Sequence, residues 1–232
     1  MKSKLFISLN LLLVVSLILI GCAKTKESKK AEPKGFISDS SMLTEDPEGK
    51  FSLLYVNDQI DWNSYDKVWI QTITAFVFEG SNLEKIPEEK IQKMVAYMQV
   101  ALERELSKDY ELVTEGGPGV MVFRGAFTEI SDNNTLVDTV TTVAPPARAF
   151  SELKNLVTGK HAGVGQAAFE GEVLDGETGD RIAAAVSVRS GGKALKTNFD
   201  NQRDVRAAID TWAVKSRERL EIVRLKSAEM NK

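Results

Sequence analysis

The stretch that decides the fold is residues 164–189, which read VGQAAFEGEVLDGETGDRIAAAVSVR. Two extended runs, Val164–Leu174 and Arg181–Arg189, are separated by the polar segment Asp175–Asp180 with its two glycines. Glycine and aspartate between two such runs are typical of a hairpin turn, because both residue types accept the backbone angles of tight turns. The stretch therefore predicts two antiparallel strands joined by a short turn.

Further strands are predicted on the N-terminal side of this hairpin. Residues 67–78 alternate β-branched and aromatic side chains with other residues, which is the pattern of a strand with one buried face. Val120–Ile130 has the same character, and Phe51–Val56 and Tyr110–Val113 are shorter extended segments. Together with the hairpin, these segments are enough for a sheet.

Two long helices are predicted from apolar residues at helical spacing. The first begins at Pro87, and Glu88 and Glu89 follow near the positive end of the helix dipole. The second covers residues 202–226. The apolar residues at this spacing are Ile91, Met94, Val95, Met98, Leu102 and Leu106 in the first helix and Val205, Ile209, Trp212, Leu220 and Val223 in the second.

Hairpin-linked strands with only a few helices indicate an α+β fold, here a mostly antiparallel sheet covered by the two long helices. The chain has 232 residues, and residues 35–232 suffice for a single α+β domain with a substantial core. A net charge of −3 gives no reason to expect a nucleic acid as partner.

Residues 1–22 predict a lipoprotein signal. Two lysines precede an apolar run, and the run ends in Leu19-Ile20-Gly21-Cys22, which resembles a bacterial lipobox. On this interpretation residues 1–21 are a signal peptide, the chain is cut between Gly21 and Cys22, and a lipid is attached to the Cys22 thiol. A membrane-spanning helix is the weaker alternative, since it needs about 20 apolar residues and this run is shorter.

Residues 22–34 predict a lipidated flexible linker, because they are polar, rich in lysine and contain Pro33 near their end. The residue after the cysteine is Ala23 rather than Asp, which favours the outer membrane in enteric-type bacteria. We therefore expect a protein held by its lipid in the cell envelope, on the outer membrane and facing the periplasm. Cys22 is the single cysteine, so no disulfide within the chain is expected.

The sequence offers no recognised set of catalytic residues or metal ligands. His161 is the single histidine and Cys22 is assigned to the lipid, so neither a zinc site nor a His-based triad is expected. Glu170 and Glu172 lie two residues apart, and therefore on one face of a strand, where they could form an acid–base pair. That face is as compatible with solvent as with a cleft. The sequence predicts no enzyme, no metal and no cofactor beyond the covalent lipid.

Several segments in a fixed order resemble one family of bacterial envelope lipoproteins. They are Gly35–Asp39, Tyr55–Asn57, Asp61–Val68, Leu174–Asp180 and the closing Trp212-Ala213. Together with the lipobox, they resemble the family known as domain of unknown function 3313, over nearly the whole mature chain. The resemblance implies an envelope lipoprotein of proteobacterial type, and it carries over no catalytic residue.

One long segment, Ser131–Pro146, has no helical stripe and precedes a short predicted helix at Ala147–Val157. Long segments without regular structure are often functional. The leading hypothesis is a non-enzymatic module that binds another envelope protein, with apolar residues of this segment as candidate contacts: Leu136, Val137, Val140 and Val143. The alternatives are a carrier or sensor of a small apolar ligand, with a pocket between sheet and helices, and a carboxylate-based hydrolase.

Overall fold

The computed structural model describes residues 26–28, 31–131, 166–190 and 203–230. These ranges contain nine strands, two long helices and two 3₁₀ turns, the turns at Trp62–Ser64 and Asn82–Lys85. The strands are β1 (Lys26–Glu27), β2 (Thr44–Glu45), β3 (Leu53–Val56), β4 (Lys67–Ile70), β5 (Thr74–Ala75), β6 (Glu111–Leu112), β7 (Val120–Ser131), β8 (Gln166–Asp175) and β9 (Arg181–Ser190). The helices are α1 (Glu88–Leu106) and α2 (Arg203–Met230).

All these strands belong to one sheet, whose order is β2-β3-β9-β8-β7-β4-β6, with β1 beside β9 and β5 beside β7. Its centre is the antiparallel set β7, β8 and β9, which contains the predicted hairpin. β4 runs parallel to both β7 and β6, because the chain crosses from β4 to β6 through α1. The α+β class is confirmed. The sheet departs from antiparallel pairing where β4 pairs with β6 and β7 and where β5 pairs with β7.

Both long helices pack on one face of the sheet and enclose the main core. Phe127, Phe169 and Trp212 meet there, with the Trp212 ring centroid 6.0 Å from that of Phe127 and 5.7 Å from that of Phe169. Trp212 is 1% exposed, in agreement with its place on the predicted apolar stripe. Most other stripe residues are buried as well, and the partly buried ones are Met94, Val95 and Val205.

The opposite face of the sheet is covered by the N-terminal part of the described chain. Ile37 is 1% exposed and belongs to a second, smaller core on this face. The other buried members are Ala168, Ala184, Val186 and Val188, with Phe36, Leu43, Leu53 and Tyr55 partly buried around them. The helices therefore cover one face only, and an extended segment covers the other.

The flexible linker predicted over residues 22–34 stays a prediction, but the part of it that the structure describes contacts the sheet. Lys26 and Glu27 form β1 beside β9, and the backbone N–H of Lys34 donates to the Glu170 carboxylate. Composition favoured disorder, because the segment is polar and has no periodic apolar pattern. Its order depends on specific hydrogen bonds to the sheet, which composition does not indicate.

Other element boundaries differ from the predictions by small amounts. The strand predicted over residues 67–78 is interrupted, since β4 ends at Ile70 and β5 is only Thr74–Ala75. The helix after Pro87 and the turn between β8 and β9 are confirmed. The predicted long segment from residue 132 onward and the predicted helix Ala147–Val157 lie outside the described residues.

Candidate functional site

An apolar cavity lies between the sheet and α2. Its floor exists because three neighbouring strands place small residues side by side: Gly125 pairs with Gly171, and Gly171 pairs with Ala185. The Phe169 ring fills the space over Gly125, where an added Cβ atom would overlap the ring. An added Cβ atom at Gly171 would lie 3.3 Å from the Phe169 ring. Gly171 and Ala185 both line the cavity beneath the helix.

Aromatic and aliphatic side chains form the walls of this cavity, which has a volume of about 60 Å³ and is partly open to solvent. Phe123, Phe169 and Val173 line it from the sheet, and Trp212 and Leu220 line it from α2. An enclosed apolar cavity of about 150 Å³ holds a benzene molecule. The cavity beneath α2 therefore has room for a small aliphatic group, whose binding would be driven by burial of apolar surface.

A buried polar network borders the cavity at Ser187. The Trp212 Nε1–H donates a hydrogen bond to Ser187 Oγ at 2.6 Å, and Ser187 Oγ donates in turn to Glu27 Oε1 at 2.6 Å. The Ser52 hydroxyl donates to the same carboxylate oxygen at 2.8 Å. Because the Ser187 hydroxyl both accepts from the helix and donates to β1, it connects these elements and is not placed as a nucleophile.

Two cations complete the network around Glu27. Arg189 Nη1 lies 2.9 Å from Glu27 Oε2, and Lys215 Nζ lies 3.7 Å from the same oxygen. Burial lowers the pKa of the Arg189 guanidinium and of the Lys215 ammonium, while the Glu27 carboxylate raises both pKa values and offsets part of this effect. Glu27 thus joins β1 to β9 and to α2 through charge-assisted contacts.

Polar contacts fix residues 46–51 beside the cavity. The Asp46 carboxylate accepts the backbone N–H groups of Lys50 at 2.8 Å and Phe51 at 2.9 Å, and it pairs with Arg219 Nη2 at 2.5 Å. Burial by itself would raise the pKa of Asp46, but the backbone hydrogen bonds and the Arg219 guanidinium outweigh burial and hold it below its ordinary value. This segment is thereby attached to α2, and Phe51 and Arg219 both line the cavity.

The two carboxylates considered as an acid–base pair have structural partners. Glu170 is 0% exposed and accepts the backbone N–H of Lys34 and, at 3.1 Å, that of Ile37. Glu172 Oε2 lies 2.8 Å from Arg181 Nε. The two acids share one face of β8, as predicted, but both are buried on the face that the N-terminal segment covers.

The residues predicted to carry the anchor and the partner contact lie outside the described residues. They are Gly21 and Cys22 at the cleavage site and Leu136, Val137, Val140 and Val143 in the long segment, and His161 lies outside as well. Within the ranges that the structure describes, no helix is long and apolar enough to cross a bilayer. In those same ranges, no group of three or more His, Cys, Asp or Glu residues is placed to hold a metal ion.

Sequence reasoning considered a pocket between sheet and helices only for the carrier alternative and named none of its residues, and it missed Glu27. Residues 183–185 are three consecutive alanines, and Gly171 interrupts the preceding strand. Small residues in neighbouring strands are a signal of missing side-chain volume or of close approach by another group, and this signal could have identified the cavity floor. No local signal marks Glu27, which lies among lysines and finds its donors only when β9 and α2 are in place.

The chain is similar in sequence to proteins without an assigned role. The model of a family described as proteins of unknown function, DUF3313, matches residues 32–216. The uncharacterized lipoprotein YdcL of Escherichia coli K12 is 26% identical over 197 residues, which cover 82% of this chain and 86% of the relative. The protein of the same name from Escherichia coli O157:H7 matches to the same extent. The family match begins after β1 and includes β2 to β9, both carboxylates on β8 and most of the cavity lining.

Similarity to solved structures is weaker. The PelC dodecamer from Paraburkholderia phytofirmans is 11% identical, with a TM-score of 0.38, and the match covers 70% of this chain and 93% of the other. A DUF4136 family protein from Bacteroides thetaiotaomicron is 10% identical, with a TM-score of 0.35 and coverage of 72% and 94%.

Proposed function

The chain belongs to the DUF3313 family, and from this premise we propose that it is a lipid-anchored protein of the bacterial envelope whose domain binds another envelope protein and catalyses no reaction. The Leu19-Ile20-Gly21-Cys22 motif supports cleavage between Gly21 and Cys22 and attachment of the lipid to Cys22. The relative from Escherichia coli is named a lipoprotein. Ala23 after the cysteine favours the outer membrane, with the domain facing the periplasm.

The observation that carries the binding role is the cavity over Gly171 and Ala185. Sites for small molecules usually have volumes of about 300–1,000 Å³, whereas this cavity has about 60 Å³ and is partly open. That size suits one aliphatic side chain entering from outside. The occupant that we assign is therefore a leucine-, isoleucine- or valine-type side chain of a partner protein.

Charged groups beside the cavity support a protein partner. Arg219 lines the cavity. The neighbouring residue Glu218 forms an ion pair with Lys50, with 2.5 Å between Glu218 Oε2 and Lys50 Nζ. An apolar centre with a polar and charged rim is typical of protein–protein contacts. Leu136, Val137, Val140 and Val143 are proposed as a second part of the contact, on the grounds of their sequence alone.

The acids near the cavity support a binding role rather than catalysis. A general acid or base has to reach a proton of the substrate, but Glu27 and Asp46 accept hydrogen bonds from backbone groups, hydroxyls and cations of the fold itself. In the proposed function the protein uses no metal and no cofactor apart from the lipid on Cys22.

A carrier or sensor of a small apolar ligand is the second candidate function. The aromatic lining by Phe123, Phe169 and Trp212 favours it. The volume limits such a ligand to a few carbon atoms, which is why we place this function second.

Filling the cavity tests the proposal. A photoreactive amino acid at Ser216, which lines the cavity, is expected to give a protein adduct in intact cells. Ala185→Leu adds a side chain into the cavity and should reduce this adduct severalfold. Ala96→Leu adds the same atoms at an exposed position of α1 and is the matched control. Thermal unfolding confirms that both variants are folded.

The possible results separate the two candidates. A protein adduct that is equally strong in wild type and Ala185→Leu contradicts binding through the cavity, as does the lack of any protein adduct in wild type. A small molecule that native mass spectrometry finds on wild type, and not on Ala185→Leu, would favour the carrier or sensor.

A further inference from the structure

Four strands end in one row at one end of the sheet. Lys26 of β1 pairs with Ser190 of β9, Ser190 pairs with Gln166 of β8, and Gln166 pairs with Ser131 of β7. We call this row the anchor end. The turn at Asp175–Asp180 defines the opposite end, which we call the turn end. Along the nine steps of β8, the two ends are about 30 Å apart at a strand rise of about 3.3 Å per residue.

The first strand is held firmly at the anchor end. The Glu27 carboxylate accepts hydrogen bonds from Ser52 and Ser187 and pairs with Arg189. The backbone N–H of Ser28 donates to the carbonyl oxygen of Val188 at 2.7 Å. β1 is therefore a fixed point of the domain, although its sequence is that of a linker.

This fixed point lies very close to the proposed lipid. Lys26 follows Cys22 by four residues, and four residues span at most about 14 Å even when fully extended. A flexible linker up to residue 34 would have allowed the domain to rotate freely above the membrane. With β1 in the sheet, the membrane surface cannot be more than this short distance from Lys26.

Basic residues flank β1 in the sequence, and one basic residue of α2 lies towards the same end. The sequence around β1 includes Lys24, Lys29 and Lys30. Trp212 of α2 contacts Ser187, and Ser227, further along the helix, contacts Trp62. The beginning of the helix, with exposed Arg206, therefore lies towards the anchor end. Each basic residue near an anionic membrane surface contributes about 1 kcal/mol of attraction.

We propose that the anchor end faces the phospholipid surface and that the sheet stands on it, with the turn end directed away from the membrane. This inference rests on the lipid at Cys22 in the proposed function. The short tether brings Lys26 of β1, and with it Ser190 of β9, to the headgroups. Arg206 near the beginning of α2 favours an anionic surface. A domain standing in this way presents its turn end to partners further from the membrane.

Depth-dependent quenching tests this orientation on the full lipidated protein in vesicles of phosphatidylethanolamine and phosphatidylglycerol. Single cysteines at Gln166→Cys and Glu177→Cys carry a fluorophore, and a nitroxide on the lipid headgroup quenches it. Quenching at position 166 is expected to be severalfold stronger than at 177, because the ends are about 30 Å apart. Glu129→Cys and Asp180→Cys repeat the comparison on other positions.

Two further variants change the tether without touching the labelled positions. Insertion of about a dozen Gly and Ser residues after Ala23 should bring the ratio close to one, because the tether no longer limits the orientation. Glu27→Ala, which removes the acceptor that holds β1, should lower the ratio in the same direction. Glu32→Ala is its matched control, since the Glu32 side chain is 89% exposed, and it should leave the ratio unchanged.

The outcomes distinguish orientation from anchoring. If the protein does not float with the vesicles, the lipid at Cys22, and with it the proposed function, is wrong. If it floats and both ends are quenched equally, or the turn end is quenched more strongly, the anchor stands and the orientation is overturned. A ratio that survives both the insertion and Glu27→Ala would show that something other than the short tether sets the orientation, which also overturns the inference.

Discussion

Trp212→Ala removes the largest side chain from the centre of the main core, and the structure sets the size of the effect. Trp212 is 1% exposed and contacts the Phe127 and Phe169 rings. Truncation of a buried aromatic side chain costs about 3–5 kcal/mol, and each aromatic pair contributes about 0.5–1.5 kcal/mol of this beyond area burial. Ser187 Oγ keeps its bond to Glu27, so little is added for an unpaired hydroxyl. We expect a loss of about 4 kcal/mol.

Trp212→Phe separates packing from the hydrogen bond. The smaller ring still contacts its aromatic neighbours, but the Nε1–H donor to Ser187 is lost, so the expected cost is about 1–2 kcal/mol. Leu225→Ala is the control on the same helix, because Leu225 is 60% exposed and surface substitutions usually change stability by less than about 0.5 kcal/mol.

The assay is urea unfolding at pH 7, followed by circular dichroism, on the chain without its signal and with Cys22→Ser. With a slope of about 2–3 kcal/mol per molar urea, Trp212→Ala should lower the midpoint by about 1.3–2 M with the slope unchanged. A midpoint no lower than that of Leu225→Ala would refute the reasoning, since it would mean that Trp212 does not support the core.

Three further predictions follow from other contacts. Glu170→Ala should destabilise the domain by about 2–4 kcal/mol in the same assay, because the buried N–H of Ile37 and that of Lys34 lose their acceptor; an unchanged midpoint would contradict this. The pKa of Asp46 is held below its ordinary value of 3.8, so its stabilisation is present above that pH and lost as pH falls through the lower folded-state pKa. Asp46→Asn should therefore be less stable than wild type at pH 7, and the gap in urea midpoint should narrow below about pH 4; a constant gap would speak against the pKa shift. Cys22→Ser should leave an uncut or soluble protein, and normal membrane fractionation at mature size would show that Cys22 carries no lipid.

The elements predicted well from sequence are those in which burial imposes a local repeat. The stripe of α1, the stripe of α2 around Trp212 and the turn between β8 and β9 each leave a pattern within a dozen residues, because one face of the element is buried or a glycine is required. β4 and β5 were merged into one predicted strand, since the break between Ile70 and Thr74 interrupts pairing without interrupting the run of β-branched residues.

The elements that were not predicted depend on residues far apart in the chain. Glu27 meets Ser52 and Ser187, which are 25 and 160 residues away. The cavity floor needs Gly171 and Ala185 from two strands in one register. A polar segment becomes ordered when its few polar groups have fixed partners, and those partners are set by the register of the sheet. Periodicity and composition contain no information about such partners.

The position of β1 also explains how the sheet protects an open edge. β3 pairs with Ala183–Val186 of β9, and β1 pairs with Arg189 and Ser190 of the same strand. Two short strands from separate parts of the chain therefore lie one after the other along the same edge of β9. The backbone N–H of Ser28 bonds to the carbonyl oxygen of Val188 between them. An uncovered strand edge is a template for pairing with another chain, and many copies of a lipid-anchored protein share one membrane surface. The Glu27 contacts that hold β1 therefore also cover this part of the β9 edge, and they leave only very short strands at the outside of the sheet.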